Sequence, residues 1–270
     1  MTVTSNYDPT LFAGVAQYYR KYRPRYTDEL YQLLIKEFKL DGRGRLLDLG
    51  TGTGLIAISL STQFTEVIGL DPDREMLQEA LQEAELNNIK NIRWIHDMAE
   101  NISTVLGEFH LATIGRAYHW MDKAKVLQLV NDRLVPNGGI AITYTYEDIW
   151  HSSEPWKQKV LAVVKKYLGE KRRTGAGTIE NLDATYADLP ELLQRSGFTA
   201  PVIHKIAIEK TWTIDSWIGY LYSTAFCRPD YFGDRITQFE QEMRDTLLAI
   251  APTGEFIERI PVDVYLAHKN

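Results

Sequence analysis

A glycine-rich turn is the stretch of this sequence whose residue types are best suited to holding a ligand. Residues 46–55 read LLDLGTGTGL, so an apolar run leads through alternating glycines into residues that suit a helix. Glycines let a backbone turn sharply and pass close beneath a ligand. Asp71 ends the next apolar run, and in a doubly wound sheet both strand ends lie at the edge where ligands bind. An acid at that edge can accept hydrogen bonds from both hydroxyl groups of a ribose.

Asp48, the acid at the start of this turn, discriminates between two classes of ligand. Residues 52–57 also match the loose dinucleotide fingerprint G-x-G-x-x-A. A dinucleotide would place its negative pyrophosphate over the turn, where the carboxylate of Asp48 opposes it. S-adenosylmethionine has no phosphate there and carries an ammonium and a sulfonium, which an acid favours. We therefore expect a methyl donor, with a nicotinamide-dependent oxidoreductase as the alternative.

The elements that must position the turn alternate between two periodicities. Short apolar runs rich in β-branched residues predict strands that are covered on both faces. These runs are residues 45–49, 66–70, 92–96, 110–114 and 140–144. Helical periods over residues 73–87 and 123–134 separate some of them, and residues 136–139 predict a turn. The alternation predicts an α/β fold with a doubly wound, mostly parallel sheet and helices on both faces.

The second half of the chain has a different texture, but it shows no linker or repeat. It predicts two further strands, four helices and an exposed loop: strands 202–212 and 256–267, helices 154–168, 189–196, 215–225 and 235–250, and loop 171–177. We expect a single domain over residues 1–270. It would comprise an N-terminal lid, a donor-binding core and two helical acceptor-side insertions, at about 1–40, 41–146, 147–185 and 213–250.

Two segments carry a resemblance to a known family. Residues 48–54, DLGTGTG, resemble motif I of the class I S-adenosylmethionine-dependent methyltransferases, and residues 67–77, VIGLDPDREML, resemble motif II. The resemblance covers about residues 18–146 well. It implies a seven-stranded sheet whose last strand is antiparallel, with S-adenosylmethionine as the co-substrate.

The resemblance also implies which residues bind the donor. Asp71 would bind the ribose, Met76 and Met98 would border the adenine, and Asp97 would meet its amino group. The rest of the expected donor set consists of Asp48, Gly50, Thr51, Gly52, Pro72 and Arg116. Asp71 and Asp97 have a simpler alternative role as helix caps, and Met76 as a core residue.

The segment after the fourth predicted strand faces the transferable methyl in this fold. Residues 115–122 read GRAYHWMD, and His119 is the candidate catalytic residue, either as a base or as an orienting group. An unperturbed histidine pKa near 6.5 would suit a base at neutral pH. Residues 118–121, together with residues 22–26 (YRPRY), resemble the type 11 methyltransferases, which include relatives of trans-aconitate methyltransferase.

The acceptor itself is expected to be a small molecule, methylated on oxygen or carbon and either anionic or partly apolar. Four cations between residues 20 and 25 predict a lid that reaches the donor carboxylate or an anionic acceptor; a solvated amphipathic helix is the alternative. Aromatic residues in the insertions suit an apolar acceptor, or are ordinary core. The candidate substrate residues are Tyr18, Tyr22, Arg23, Tyr118, Trp120, Trp150 and Tyr222.

Composition argues against several other classes. The 270-residue chain has 30 basic and 36 acidic residues, a net charge of −6, which disfavours nucleic acid as a partner. The single Cys227 forbids an internal disulfide and fits the cytoplasm. We expect neither a signal peptide nor a membrane span. The scattered histidines predict no metal site, although a magnesium-dependent hydroxyl methyltransferase stays open. A non-catalytic donor-binding module is a further alternative.

Overall fold

A single mixed sheet forms the centre of the molecule. The computed structural model describes residues 8, 10–147, 149–150, 152–174, 177–178 and 186–270. The strands of this sheet are β1 (Arg45–Leu49), β2 (Glu66–Asp71), β3 (Ile92–His96), β4 (Phe109–Gly115), β5 (Leu134–Thr145), β6 (Val202–Thr213) and β7 (Glu255–His268). Their order across the sheet is β3-β2-β1-β4-β5-β7-β6.

Strand direction confirms the predicted sheet. Strands β1 to β5 pair in parallel, whereas β7 lies between β5 and β6 and is antiparallel to both. The seven-stranded sheet with an antiparallel last strand is therefore present as expected. Because β1 and β4 are neighbours in space, the turn after β1 lies beside the loop after β4.

Helices cover both faces of the sheet. Leu46 and Leu47 are adjacent in β1 and both have no exposed surface, yet they belong to two different apolar clusters. Leu30 packs in the first cluster and Val126 in the second. The helices are α1 (Ala16–Tyr22), α2 (Asp28–Glu37), α3 (Leu55–Leu60), α4 (Arg74–Leu86), α5 (Lys123–Arg133), α6 (Pro155–Leu168), α7 (Leu189–Arg195), α8 (Ile214–Tyr222) and α9 (Ile236–Ile250).

Two predicted connections differ from the structure. The expected turn at residues 136–139 lies inside β5 as an irregularity, because Leu134 pairs with Phe109 and Gly139 with Leu111. The left-handed backbone of Asn137, with φ of 63°, accommodates the extra residues. In the expected loop 171–177, Arg173–Thr174 pairs with Gly177–Thr178. Within the first insertion, residues 148, 151, 175–176 and 179–185 lie outside the described residues.

The N-terminal helix is anchored by a close approach to α8. A Cβ atom on Gly219 would lie 2.3 Å from Cε2 of Tyr22, so the absence of a side chain there lets α1 sit on α8. Tyr18 also contacts this helix, with its ring centroid 5.5 Å from that of Tyr222. The packing holds the N-terminal segment over the carboxyl edge of the sheet.

We predict that Gly219→Ala destabilises the protein. Forcing a methyl group against the Tyr22 ring costs about 1–3 kcal/mol, partly offset by the better helix propensity of alanine, about 1 kcal/mol at most. Urea unfolding would measure the change in unfolding free energy. Combining it with Tyr22→Ala should cost less than the sum of the two single changes; additive losses would show that the contact does not limit the approach of α1.

Candidate active site

A cleft opens above the carboxyl ends of β1, β2 and β4. Its open space measures about 650 Å³. The residues around it come from the glycine turn, from the ends of β2 and β4, and from the N-terminal segment. They are Phe12, Tyr19, Gly50, Gly52, Asp71, Pro72, Met76, Met98, Ala99, Glu100, Gly115, Arg116, Ala117, Trp120 and Met121. The predicted donor residues Gly50, Gly52, Asp71, Pro72, Met76, Met98 and Arg116 are thus brought together.

The glycine turn has the backbone that its sequence predicts. Gly50, Gly52 and Gly54 have φ values of 61°, 54° and 81°, a region that L side chains rarely adopt. A Cβ atom on Gly50 would lie 2.4 Å from Cβ of Ala117, whereas one on Gly52 would meet nothing within 4 Å. Gly50 therefore allows the turn to pack on the loop after β4, and Gly52 leaves space on the cleft side.

Asp48 lies beneath the turn and fixes its shape. Its side chain accepts hydrogen bonds of 2.6 Å from the hydroxyl groups of Thr51 and Thr113. Burial raises its pKa to about 6, although both threonine hydrogen bonds act in the opposite direction. Asp48 and Thr51 do not line the main cleft. They line a narrower adjoining cavity with Tyr26 and Arg116.

Asp71 links the second strand to the turn. Its Oδ2 atom accepts a 2.7 Å hydrogen bond from the amide of Gly52, and its Oδ1 atom accepts one of 2.9 Å from the amide of Asp73. Burial raises the pKa of Asp71 to about 7. Asp73, rather than Asp71, caps α4, so the simpler capping role for Asp71 does not hold. A carboxylate at the wall of the cleft suits a ligand that presents hydroxyl groups.

The far end of the cleft is apolar. Met76 and Met98 line it, and Met76 is 3% exposed. Asp97 is not among the lining residues: its Oδ1 atom accepts hydrogen bonds from the Met98 amide and from the side chain of Asn101, each 2.8 Å long. Two thioether side chains at the wall of the cleft suit an adenine ring, while an adenine contact by Asp97 stays a prediction.

A second chamber adjoins the main cleft and shares Phe12, Tyr19, Arg116 and Trp120 with it. Its open space is about 780 Å³. The residues that line only this chamber are Arg23, His119, Tyr144, Thr145, Glu147, Arg172, Tyr220, Thr224, Ala225 and Phe226. Of the candidate substrate residues, Arg23 and Trp120 lie at its wall. The two chambers therefore meet at the four residues that line both of them.

Three charged side chains form a connected array in the second chamber. Arg23 Nη1 lies 2.8 Å from Glu147 Oε2, and Arg116 Nε lies 3.3 Å from Glu147 Oε1. Arg116 Nη2 also donates a 2.6 Å hydrogen bond to the carbonyl of Pro24. Burial alone would lower the pKa of the Arg116 guanidinium, but the Glu147 carboxylate raises it, so Arg116 stays charged.

His119 does not have the pKa expected from its residue type. Burial, and then the positive charges of Arg172, Arg23 and Lys123, lower its pKa to about 3. Its Nδ1 atom lies 3.4 Å from the hydroxyl oxygen of Tyr186. The expectation of a pKa suited to general-base chemistry at neutral pH is therefore corrected, because the imidazole is neutral and weakly basic. The geometry suits the orienting role.

The other aromatic candidates lie behind the chamber rather than in it. Tyr18 stacks on Tyr22 with ring centroids 6.4 Å apart, and Tyr222 donates a hydrogen bond to Glu240. Tyr118 has no exposed surface, and Trp150 packs against Phe226 with ring centroids 5.9 Å apart. None of Tyr18, Tyr22, Tyr118, Trp150 and Tyr222 is among the residues that line the two chambers.

The rotation of α1 about its axis explains why Tyr19, which is not among the sequence-predicted candidates, lines the chamber. Tyr18 and Tyr22 are four residues apart and share the face that packs on α8. Tyr19 and Arg23 have the same spacing on the adjoining face and line the second chamber. The helical spacing of Tyr19 before Arg23 is a signal that could have identified Tyr19, whereas no local signal marks Glu147.

Comparison with known proteins identifies the class of this site. Residues 46–138 match the family model described as a methyltransferase domain. A Dictyostelium discoideum protein that bears a methyltransferase name is 24% identical over 217 residues, covering 78% of this chain and 75% of that protein. Saccharomyces cerevisiae CRG1, named as an S-adenosylmethionine-dependent methyltransferase, is 31% identical over 129 residues, covering 47% of this chain and 44% of that protein.

A solved structure shows the same fold across almost the whole chain. It is a SAM-dependent methyltransferase from Thiobacillus denitrificans in complex with S-adenosyl-L-homocysteine, with a TM-score of 0.55 and 16% identity. The alignment covers 97% of this chain and 99% of that one. The chain therefore contains a methyltransferase domain at residues 46–138, and its fold is that of the solved methyltransferases. A methyltransferase domain favours a methyl donor over the nicotinamide alternative.

Two features are absent from the described part of the chain. No helix there is long and apolar enough to cross a membrane. No group of three or more His, Cys, Asp or Glu side chains there could hold a metal ion.

We predict that donor affinity rises with pH because the raised pKa of Asp71, about 7, leaves part of its carboxyl protonated below neutrality. The ionised form is the better acceptor for ribose hydroxyls, so S-adenosylhomocysteine should bind more tightly at pH 8 than at pH 5.5. Asp71→Asn should weaken binding at pH 8 by about 1–3 kcal/mol and flatten the dependence. Calorimetry would measure both.

The matched control is Glu85→Gln, which removes an exposed carboxylate from α4. It should leave both the affinity and its pH dependence unchanged. The ligand-free protein should show the opposite trend: a raised carboxyl pKa contributes stability below the unfolded pKa of about 3.9, and this is lost as the pH rises through about 7. A wild-type affinity that does not vary between pH 5.5 and 8 would contradict the assignment of Asp71.

Proposed function

We propose that the chain transfers the methyl group of S-adenosylmethionine to an anionic small molecule in the second chamber. The observation that carries this proposal is the charge of the chamber wall. Arg23, Arg116 and Arg172 line the chamber, and among its lining residues Glu147 is the one carboxylate. A low-dielectric cavity with excess positive charge favours a ligand that brings negative charge.

The donor would lie along the first cleft, with its parts matched to the wall chemistry. Asp71 would accept hydrogen bonds from the ribose, and Met76 and Met98 would border the adenine. Gly50 and Gly52 would run beneath the methionine portion, while Asp48 holds their turn from below. When bound, the donor supplies an electrophilic methyl group on a sulfonium.

The protein's own contribution to the reaction is alignment and exclusion of water. Methyl transfer is a displacement at carbon, so the acceptor atom must face the methyl in line with the breaking bond. Trp120 and Arg116 line both chambers and would define the passage between them. An acceptor that is already anionic has no proton to lose, so the neutral His119 would orient it rather than act as a base.

A chamber lined by side chains and continuous with the first cleft supports a small acceptor more than a polymer. The wall is made of side chains from α1, α8 and the loops after β4 and β5, and the protein carries a net charge of −6. A nucleic acid would need an exposed cationic surface that neutralises many phosphates. The continuity of the two chambers likewise favours turnover over a non-catalytic donor-binding module. The buried free Cys227 supports a cytoplasmic location for this activity.

An acceptor screen tests the proposal. Purified protein with methyl-labelled S-adenosylmethionine would be offered small carboxylates, phenolates and phosphates, each beside a neutral analogue of the same shape. We expect label transfer to anionic members and at least tenfold less transfer to their neutral partners. Transfer confined to neutral or cationic acceptors, or to RNA, would contradict it.

The orienting role of His119 can be separated from base catalysis. His119→Phe should lower kcat/KM at least tenfold, since it removes the polar edge of the ring. His119→Gln, which can keep an N–H near the position of Nε2, should retain much of the activity. With both substrates saturating, so that the ionisation of Asp71 no longer affects donor binding, the wild-type kcat should show no inflection near pH 6.5. Equal losses in both variants, with such an inflection in the wild type, would instead indicate a base.

A further inference from the structure

The wall of the second chamber contains hydrogen-bond donors that the protein does not satisfy. Arg23 Nε and Arg116 Nη1 are buried and have no hydrogen-bond partner. Leaving a charged donor buried without a partner costs more than leaving a neutral one, so natural sites pair such groups or supply them with a ligand. Both arginines line the second chamber, and Arg116 also lines the donor cleft.

The orientation of the two guanidinium groups is already fixed. The Arg23 guanidinium lies over the rings of Tyr19 and Tyr220, at 4.8 Å and 5.2 Å from their centroids. The Arg116 guanidinium lies 4.6 Å from the centroid of Tyr26. Because an aromatic ring lies against a face of each guanidinium, hydrogen bonds are left to the edges, where the planar fork matches a carboxylate.

The local charge fits one further anion. Glu147 takes an oxygen contact from each arginine, which leaves the group of three with a net charge of one positive unit. Arg116 also has a left-handed backbone, with φ of 58°, which is costly for a residue other than glycine. Such strain concentrates where the surrounding structure holds a side chain for a ligand.

We propose that Arg23 and Arg116 form a binding subsite for one ligand carboxylate, with Glu147 as the fixed counter-ion that orients them. This inference rests on the proposed function, and it names the chemistry that the subsite recognises. The carboxylate can come from the methionine portion of the donor or from the acceptor. Either source would supply oxygens to Arg23 Nε and Arg116 Nη1.

Calorimetry on Arg23→Gln distinguishes the two sources. The probes for the donor arm are S-adenosylhomocysteine and 5′-methylthioadenosine, which lacks the amino-acid portion. The probes for the acceptor arm are succinate and its neutral diamide, titrated with and without saturating S-adenosylhomocysteine. Arg20→Gln is the matched control, because Arg20 lies on the same helix and pairs with Glu79 and Glu83 outside the two chambers.

If the donor carboxylate occupies the subsite, Arg23→Gln should weaken the binding of S-adenosylhomocysteine about tenfold or more and leave the affinity for 5′-methylthioadenosine unchanged. An acceptor carboxylate predicts unchanged S-adenosylhomocysteine and a similar loss of succinate, with the diamide binding in neither protein. Arg23→Lys keeps the charge without the planar fork and should give an intermediate loss, which also covers the case in which Arg23→Gln does not fold.

The subsite is contradicted if both probe pairs respond to Arg23→Gln no more than to Arg20→Gln. If the proposed methyl transfer is wrong, the titrations give a different pattern. Wild-type protein that binds neither nucleoside would contradict donor binding, and the titrations of succinate into ligand-free protein would still decide the subsite on their own.

Discussion

The ligand-binding edge of this protein depends on two buried carboxylates that hold a glycine turn in place. Asp48 fixes the turn from below through Thr51 and Thr113, and Asp71 fixes it from the side through the amide of Gly52. These contacts join β1, β2 and β4 at the proposed donor site. Because the oxygens are desolvated, the pKa of each carboxyl is raised.

The second determinant is the concentration of positive charge beyond the turn. Arg116 extends from the loop after β4 and Arg23 from the residue that follows α1, and Glu147 joins them. Burial, and then the positive charges of Arg172, Arg23 and Lys123, keep His119 neutral, so this histidine is a poor proton acceptor. The positive charge of the chamber favours an anionic acceptor, and an acceptor that is already ionised needs an orienting group rather than a base.

Features that depend on local sequence could be predicted, whereas those that depend on distant pairings could not. The glycine turn and the strands around it follow from hydrophobic runs and turn residues, and the antiparallel last strand follows from the family resemblance. The hydrogen bond from Thr113 to Asp48, the bridge from Arg23 to Glu147 and the low pKa of His119 each need groups that folding brings together. On α1, the sequence identifies an aromatic and basic helix, but its rotation decides that Tyr19 faces the chamber while Tyr18 packs on α8.

The central claim is that S-adenosylmethionine occupies the glycine turn between Asp48 and Asp71. Hydrogen–deuterium exchange with and without S-adenosylhomocysteine tests it most directly. We expect the ligand to protect the amides of residues 49–54 and 71–76, with NAD⁺ giving no protection there. Protection of these segments by NAD⁺ alone, or protection by S-adenosylhomocysteine only elsewhere in the chain, would contradict the account.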